Sequence, residues 1–384
     1  MTLHRASNKQ TPPDSSTRLY DVRRLAELLG VERSTVRTMR HRGQLPAPTS
    51  HDINGGAVWS EDVIEGFYYP KEPALINIPV NPALPPILDL FAGCGGMSLG
   101  FQMSGFKVLA GFDNWAPAIE TYSRNMGHNS TQLDLGDVES TIEALQPFFQ
   151  CEEKPAIIGG PPCQDFSSAG KRTEGARADL TEKYATVVTR FMPPFFVMEN
   201  VARAQHAGAF KRAVAIMEEA GYKVSMTVLN AAKCGVPQSR KRLITIGTLD
   251  EVKTAEIFRY LELHQSERET TVRDYLGDSL LTEHYYRHPR SYARRGVFSI
   301  DEPSPTIRGV NRPIPKGYPG HAGDSAPIEN ARPLTTSERA KIQTFPEDFR
   351  FVGARTNVEQ MIGNAVPPLL GKYIASALSE SMPF

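Results

Sequence analysis

At 384 residues the chain is long enough for two or three domains and for a core that needs no metal or disulfide staples. Formal charge is balanced, 43 Lys and Arg against 43 Asp and Glu, so no global field marks a nucleic-acid or membrane partner. No run of about 18 apolar residues occurs and no charged-then-apolar leader opens the chain, so neither membrane insertion nor export is expected. Cys94, Cys151, Cys163 and Cys234 lack Cys-x-x-Cys or Cys/His ligand spacing, which predicts a reduced, cytoplasmic chain without structural metal.

Residues 1–17 are polar, with Pro12-Pro13 and a Ser/Thr cluster, and read as a disordered tail. Over 18–70, an apolar stripe from Val22 to Leu29 stops at Gly30. A second helix, capped by Ser34, then runs to about Arg42, presenting Arg33, Arg37 and Arg40. Two short helices around a glycine turn, followed by Ala57-Val58-Trp59, are similar to winged helix-turn-helix modules of the excisionase and MerR type. DNA contact is the expected role; packing or dimerisation is the alternative. Six prolines between Pro70 and Pro86 predict an extended linker over 71–86.

The catalytic signals follow in order over 87–247. Ile87–Phe91 reads as a buried strand that runs into Gly93, Cys94, Gly95, Gly96, Ser98 and Leu99, a turn where backbone can approach a nucleotide-like group. The next strand ends on Asp113, followed by Asn114, which suits ribose hydroxyls; Asp134 and Leu135 come where an adenine amino group would be met. Pro155–Ile158 leads into Gly159-Gly160-Pro161-Pro162-Cys163-Gln164, a thiol on a stiff turn at a strand end. Alone, such a cysteine reads more readily as an inert buried thiol beside a rigid turn than as a nucleophile. Leu180 lies on the amphipathic helix that follows. Phe195–Met198 then delivers Glu199-Asn200, and alternation puts Arg240 and Arg242 on one face ahead of Leu243–Ile246.

Residues 248–331 read as a target-recognition domain. From His284 to Gly320 there are seven basic residues against two acidic ones, interleaved with five aromatic rings. Residues 332–384 read as a return to the catalytic domain, ending in Gln360–Pro368 with Asn364 and Val366.

Six ordered motifs over about Ile87 to Ala377 resemble those of the cytosine-5 DNA methyltransferases of bacterial modification systems: Asp89–Gly96, Pro162-Cys163-Gln164, Glu199-Asn200-Val201, Gln238-x-Arg240-x-Arg242, Arg332–Pro346 and Gln360–Pro368. Two positions depart from the usual pattern, Gly160-Pro161 before the Pro-Cys pair and Asn114 where an aromatic often stacks on adenine.

The resemblance implies an α/β, Rossmann-like sheet with helices on both faces, a smaller recognition domain, and S-adenosylmethionine as methyl donor, leaving S-adenosylhomocysteine. It implies Asp89, Phe91, Gly93, Gly95, Gly96, Ser98, Leu99, Asp113, Asn114, Asp134, Leu135, Pro161, Leu180, Asn364 and Val366 at the cofactor. It implies Cys163 as nucleophile, with Glu199, Asn200, Arg240 and Arg242 around the flipped base. Gln164, Ser167, Thr306 and Ile307 are expected at the DNA, with Arg308 and Arg312 reading guanine edges. The expected partners are double-stranded DNA and a cognate restriction endonuclease, the enzyme working as a nucleoid-associated monomer. The alternatives are a DNA-binding repressor and a tRNA cytosine-5 methyltransferase.

Overall fold

The structure is a computed structural model describing residues 19–29, 32–41, 45–53, 56–61, 63–64, 78–162, 179–280 and 282–381. The chain divides into two compact units, Met1–Glu72 and Pro73–Phe384. The sequence expectations for the N-terminal tail, and for Cys163, Gln164 and Ser167, lie outside the described residues.

In the first unit β1 (Leu19–Asp21) and β2 (Ser50–Ile53) flank β3 (Gly56–Ser60), all antiparallel, beside the helices Val22–Leu29 and Arg33–His41. Asp21 Oδ1 accepts the Arg24 N–H at 2.7 Å, which supplies one of the orphan donors of the first helical turn. Leu25, Ala26, Val36 and Trp59 form the core, and the buried indole donates to the Pro46 carbonyl at 2.9 Å. The second helix begins earlier than its expected cap. Glu32 O accepts from Thr35 and Val36 N–H, and Ser34 lies inside the first turn, its carbonyl taken by Thr38 Oγ1.

The second unit is built on a seven-stranded sheet. Its strands are β4 (Ile87–Leu90), β5 (Val108–Asp113), β6 (Asn129–Gln132), β7 (Ala156–Gly159), β8 (Phe195–Val201), β9 (Lys223–Asn230) and β11 (Lys241–Thr248). The order is β6-β5-β4-β7-β8-β11-β9, with β4 to β8 parallel and β11 antiparallel to both neighbours. The strands β4 and β7 are buried throughout, which explains the unbroken apolar run of β7 and that of β4, interrupted only by the buried Asp89; parallel strands with helices on both faces have no polar face. One face packs on the helices Gly96–Gln102, Glu251–Leu263 and Pro368–Ser381, the other on Val138–Leu145, Asp179–Phe191 and Gly208–Glu219. Each fully buried aliphatic side chain in these layers contributes about 1.5–3 kcal/mol.

Two expected boundaries shift. Leu84, Pro85 and Pro86 are buried, and Asn81 N–H donates to the Gly105 carbonyl, so residues 81–86 are packed structure of the second unit and not linker. The helix Glu251–Leu263 puts Ile257 and Leu261 into the sheet's core, so the segment expected to carry recognition starts after it rather than at Thr248. That segment is also not a separate body. It carries β12 (His284–Tyr286), β13 (Val297–Ser299) and β14 (Ser304–Pro305), and two of these pair with strands outside it, β14 with β10 (Gln238–Ser239) and β12 with β15 (Arg332–Pro333). Its Val272, Tyr285, Phe298 and Ile307 share one apolar cluster with Leu99, Tyr122, Phe345 and Ile362.

No helix among the described residues is long and apolar enough to cross a membrane.

Candidate active site

The first strand of the sheet sits at its centre and the chain proceeds outward on both sides of it, which leaves a crevice at the strands' carboxyl ends. A cavity of about 650 Å³ occupies that edge. It is lined by residues from the ends of five consecutive parallel strands: Phe91–Cys94, Asp113–Trp115, Asp134–Gly136, Gly160–Pro162 and Glu199–Val201. The antiparallel strand β11 starts where those strands end, and so brings Arg242 opposite Val201 and onto the same edge.

Local backbone strain shapes the first turn. Phe91 holds φ 60°, unusual for a residue with a side chain, and Gly93 holds φ 55° with open space where a Cβ would stand. Gly93 N–H donates to Asp113 Oδ2 at 2.9 Å, and Trp115 N–H to Asp113 Oδ1 at 2.9 Å, so each oxygen keeps a lone pair for a ligand hydroxyl. Burial outweighs those donors and raises the Asp113 carboxyl above its ordinary range.

At Gly96 a Cβ would lie 2.1 Å from the Val366 carbonyl oxygen. Gly96→Ala is therefore expected to push the 364–366 turn off the cavity and to destabilise the fold by about 1–3 kcal/mol, read as a lowered melting temperature.

Asp89 is fully buried at the cavity floor. Ser98 Oγ donates to its Oδ2 at 2.6 Å and lies 2.8 Å from Tyr122 Oη, which lies 2.6 Å from His128 Nε2; Asp89 Oδ1 has no partner. Burial pushes the Asp89 carboxyl up to about 7. Folding therefore favours its protonated form, and the stability this contributes declines as pH rises from about 4 through about 7. Ligand-free protein should show that decline in thermal melts, and Asp89→Asn should remove it; an unchanged decline in the variant excludes Asp89 as the source.

Glu199 and Arg242 form an ion pair, Arg242 Nε to Glu199 Oε1 at 2.7 Å, with side chains 11% and 14% exposed. They occupy diagonal positions on one face of neighbouring strands, Glu199 standing opposite Ile244. Glu199 Oε2 lies 3.4 Å from where a Gly160 Cβ would be, which places the carboxylate against the turn that leads to Cys163. Asn200 Nδ2 donates to the Pro161 carbonyl at 3.1 Å and ties that turn to β8.

Arg240, fully buried, donates to the carbonyls of Ile307 (3.3 Å), Gly363 (3.2 Å) and Ala365 (3.0 Å), joining the sheet's edge to the segment around Ile307 and to the 363–365 turn. Burial, followed by the charge of Arg242, pushes its guanidinium well down from its ordinary range.

Residues 86–380 match the family of C-5 cytosine-specific DNA methylases. The chain belongs to that family. The methylase is 50% identical over 292 residues to the type II methyltransferase M.HgiDI of Herpetosiphon aurantiacus, covering 76% of this chain and 93% of that one. It is 50% identical over 294 residues to the type II methyltransferase M.HindV of Haemophilus influenzae, covering 76% and 95%. In fold it is similar to the methyltransferase EhMeth of Entamoeba histolytica, at TM-score 0.57 and 19% identity over 77% of this chain and 97% of that one. It is similar also to the Dnmt2 methyltransferase of S. pombe, at TM-score 0.56 and 18% identity over 78% and 100%.

Of the cofactor residues expected in the methylase, Asp89, Phe91, Gly93, Gly96, Asp113, Asn114, Asp134, Leu135, Pro161, Leu180, Asn364 and Val366 line the cavity. Three do not. A Cβ on Gly95 would meet Met126 and Tyr122, Ser98 is turned onto Asp89 and Tyr122, and Leu99 is packed in the apolar cluster that holds Phe345. Arg240 Nη1 and Nη2 and the Asn200 amide donate to main-chain carbonyls, while Arg240 Nε is buried without a partner. Ile307 is buried, its N–H given to Gln238 Oε1 at 2.8 Å. Thr306 Oγ1 donates to the Ser239 carbonyl at 2.9 Å.

Trp115 was not expected on the cavity wall. Its signal was present one position beyond the expected aromatic, where the N–H that caps Asp113 sets the indole beside the acid.

Proposed function

We propose that the methylase transfers a methyl group from S-adenosylmethionine to carbon 5 of a cytosine rotated out of duplex DNA, through a covalent bond between Cys163 and carbon 6. The observation that carries this reading is the Glu199–Arg242 pair, set against the turn that leads to Cys163 and lining the same cavity as three strand-end acids. The cavity fits the cofactor: it has nucleoside-scale volume, apolar walls at Leu135, Leu180 and Trp115, a carboxylate with open lone pairs at Asp113, and an unpaired buried oxygen on Asp89 suited to an ammonium group. S-adenosylmethionine, when bound there, supplies an electrophilic methyl group.

The chain's own residues make cytosine reactive. Carbon 5 is too weak a nucleophile until the ring becomes an enamine. The Cys163 thiolate adds to carbon 6, and Glu199 donates a proton or hydrogen bond to N3 as electrons move into the ring. Arg242, held by Glu199, is the donor for the O2 carbonyl. Arg240 and Asn200 hold the two turns that frame the base. Loss of the carbon 5 proton to a base then expels the thiolate and restores the ring.

Target choice falls to residues 264–331, with Gln164, Ser167 and Thr306 beside the flipped nucleotide and Arg308 and Arg312 facing the duplex. The modification protects DNA from a cognate endonuclease that reads the same site, and the enzyme works as a nucleoid-associated monomer in the cytoplasm. The first unit, which lies outside residues 86–380, is a helix-turn-helix DNA-binding module that represses its own promoter. Its support is the helix Arg33–His41, which exposes Arg33, Arg37 and Arg40 beside a three-stranded sheet.

Label transfer from methyl-labelled cofactor to duplex DNA and tRNA, side by side, tests the substrate: DNA should be labelled, and exclusive labelling of tRNA refutes it. Deleting residues 1–72 should keep methylation and remove promoter binding; loss of both activities ends the regulatory assignment.

A further inference from the structure

A second cavity, of about 480 Å³, opens in the recognition segment and shares no lining residue with the first. Among the described residues its lining includes five arginines, Arg287, Arg290, Arg308, Arg312 and Arg339, together with His288 and no acidic residue. Arg339 is neutralised from behind by Glu359, and it also donates to the Arg308 carbonyl. The other four have no carboxylate partner among the described residues. Arg287 donates to the Thr306 carbonyl at 2.9 Å and Arg308 to the His288 carbonyl, both neutral acceptors. Arg290 and Arg312 are exposed, with no hydrogen bond or ion pair among the described residues.

These charges act on one another. Burial, followed by the charge of Arg308, pushes Arg287 down to about 10, with Arg290 adding to it; burial, followed by Arg290 and Arg312, lowers Arg308. Arg312 acts on Arg308 and His288, and its side chain, like that of Arg290, is exposed. A guanine edge offers two neutral acceptors, which one guanidinium satisfies while the remaining charges stay unbalanced. A phosphodiester offers a full negative charge and two oxygens that accept from guanidinium forks.

We propose that this cavity seats a phosphate of the DNA strand, held by Arg287, Arg290 and Arg308, while Arg312, exposed beside them, keeps the base-reading role expected of it. The proposal rests on duplex DNA being the substrate, and it moves Arg308 from a base-reading role to a backbone one. Such a seat fixes the register of the duplex on the enzyme without reading sequence.

The test compares wild type, Arg290→Gln, Arg308→Gln, Arg308→Lys and Arg312→Gln. Binding is measured against salt on a duplex carrying the methylated site, found by bisulfite sequencing, and on one with a single pair changed. Arg290→Gln and Arg308→Gln should each flatten the slope of log K against log salt by about one and weaken both duplexes equally. Arg308→Lys should keep the slope, showing that loss in Arg308→Gln is loss of charge and not of fold; Arg312→Gln should narrow the ratio between the two duplexes. A neutral methylphosphonate moved along the strand should find one position that weakens wild type but does not weaken Arg308→Gln further.

An unchanged slope, a narrowed ratio in Arg290→Gln or Arg308→Gln, or additive losses at every methylphosphonate position overturns the seat. So does stabilisation of wild type by inorganic phosphate that Arg308→Gln lacks while its slope on DNA is unaltered, since the anion is then free phosphate. Wild-type protein that binds and methylates no duplex removes the substrate reading itself, and the seat with it.

Discussion

Cys163→Ser is expected to lower methyl transfer by roughly 10³-fold or more while leaving cofactor affinity at its wild-type value. The hydroxyl is a harder and far less acidic nucleophile than the thiol, so the addition to carbon 6 that activates carbon 5 is lost. The residues that line the large cavity are untouched by the change. Isothermal titration with S-adenosylmethionine, beside label transfer to duplex DNA, separates the two quantities. Turnover near wild type in the variant refutes the nucleophile assignment. A second readout on wild type uses DNA with 5-fluorocytosine at the target: fluorine cannot leave as a cation, so the adduct on Cys163 should persist and shift the protein on a denaturing gel.

Glu199→Gln should reduce kcat by roughly 10²–10³-fold. The change removes the acid at N3 and leaves Arg242, 14% exposed, without its carboxylate at 2.7 Å. Arg242→Ala should cost a comparable factor, and the double variant should lose much less than the product of the two, because the residues act as one unit. Fully multiplicative losses mean that the pair works as two independent groups, against the mechanism above. Both single variants should keep the thermal stability of wild type to within about 1–2 kcal/mol, since the pair lies at the cavity wall and not in the apolar layers.

Much of the sheet was legible because parallel strands buried on both faces announce themselves as apolar runs, and Ile87–Leu90, Ala156–Gly159 and Phe195–Met198 do so. The acids and glycines were legible because their chemistry is local: a turn or a strand end suffices to place them. What stayed hidden were partnerships made across the chain. Alternation put Arg240 and Arg242 on one face but could not say that one meets three carbonyls, two of them more than 120 positions away, while the other meets Glu199. Ser98 and Leu99 sit in a glycine-rich motif, yet a helical turn must face somewhere, and theirs faces Asp89, Tyr122 and the apolar cluster. The edges of the recognition segment were misjudged for the same reason. Composition marks Arg-rich and aromatic stretches, but Ile257 and Leu261 are claimed by a core whose other members lie before and after them in the chain.

The last helix, Pro368–Ser381, lies against the first helix of the sheet so closely that a Cβ on Gly100 would stand 2.5 Å from the Lys372 nitrogen and from the Pro368 carbonyl oxygen. Leu370, Ile374, Ala375, Ala377 and Leu378 close the same apolar layer that holds Ile87, Met97 and Phe101. A ribosome therefore delivers the two halves of this layer at opposite ends of synthesis of the unit. Until the final turn of helix clears the exit tunnel, Phe101 and its neighbours have no cover, and a nascent chain arrested short of residue 368 carries a sticky sheet face. Premature termination before this helix should thus yield insoluble fragments and not a stable truncated enzyme, so that folding of the unit waits on residues 368–381.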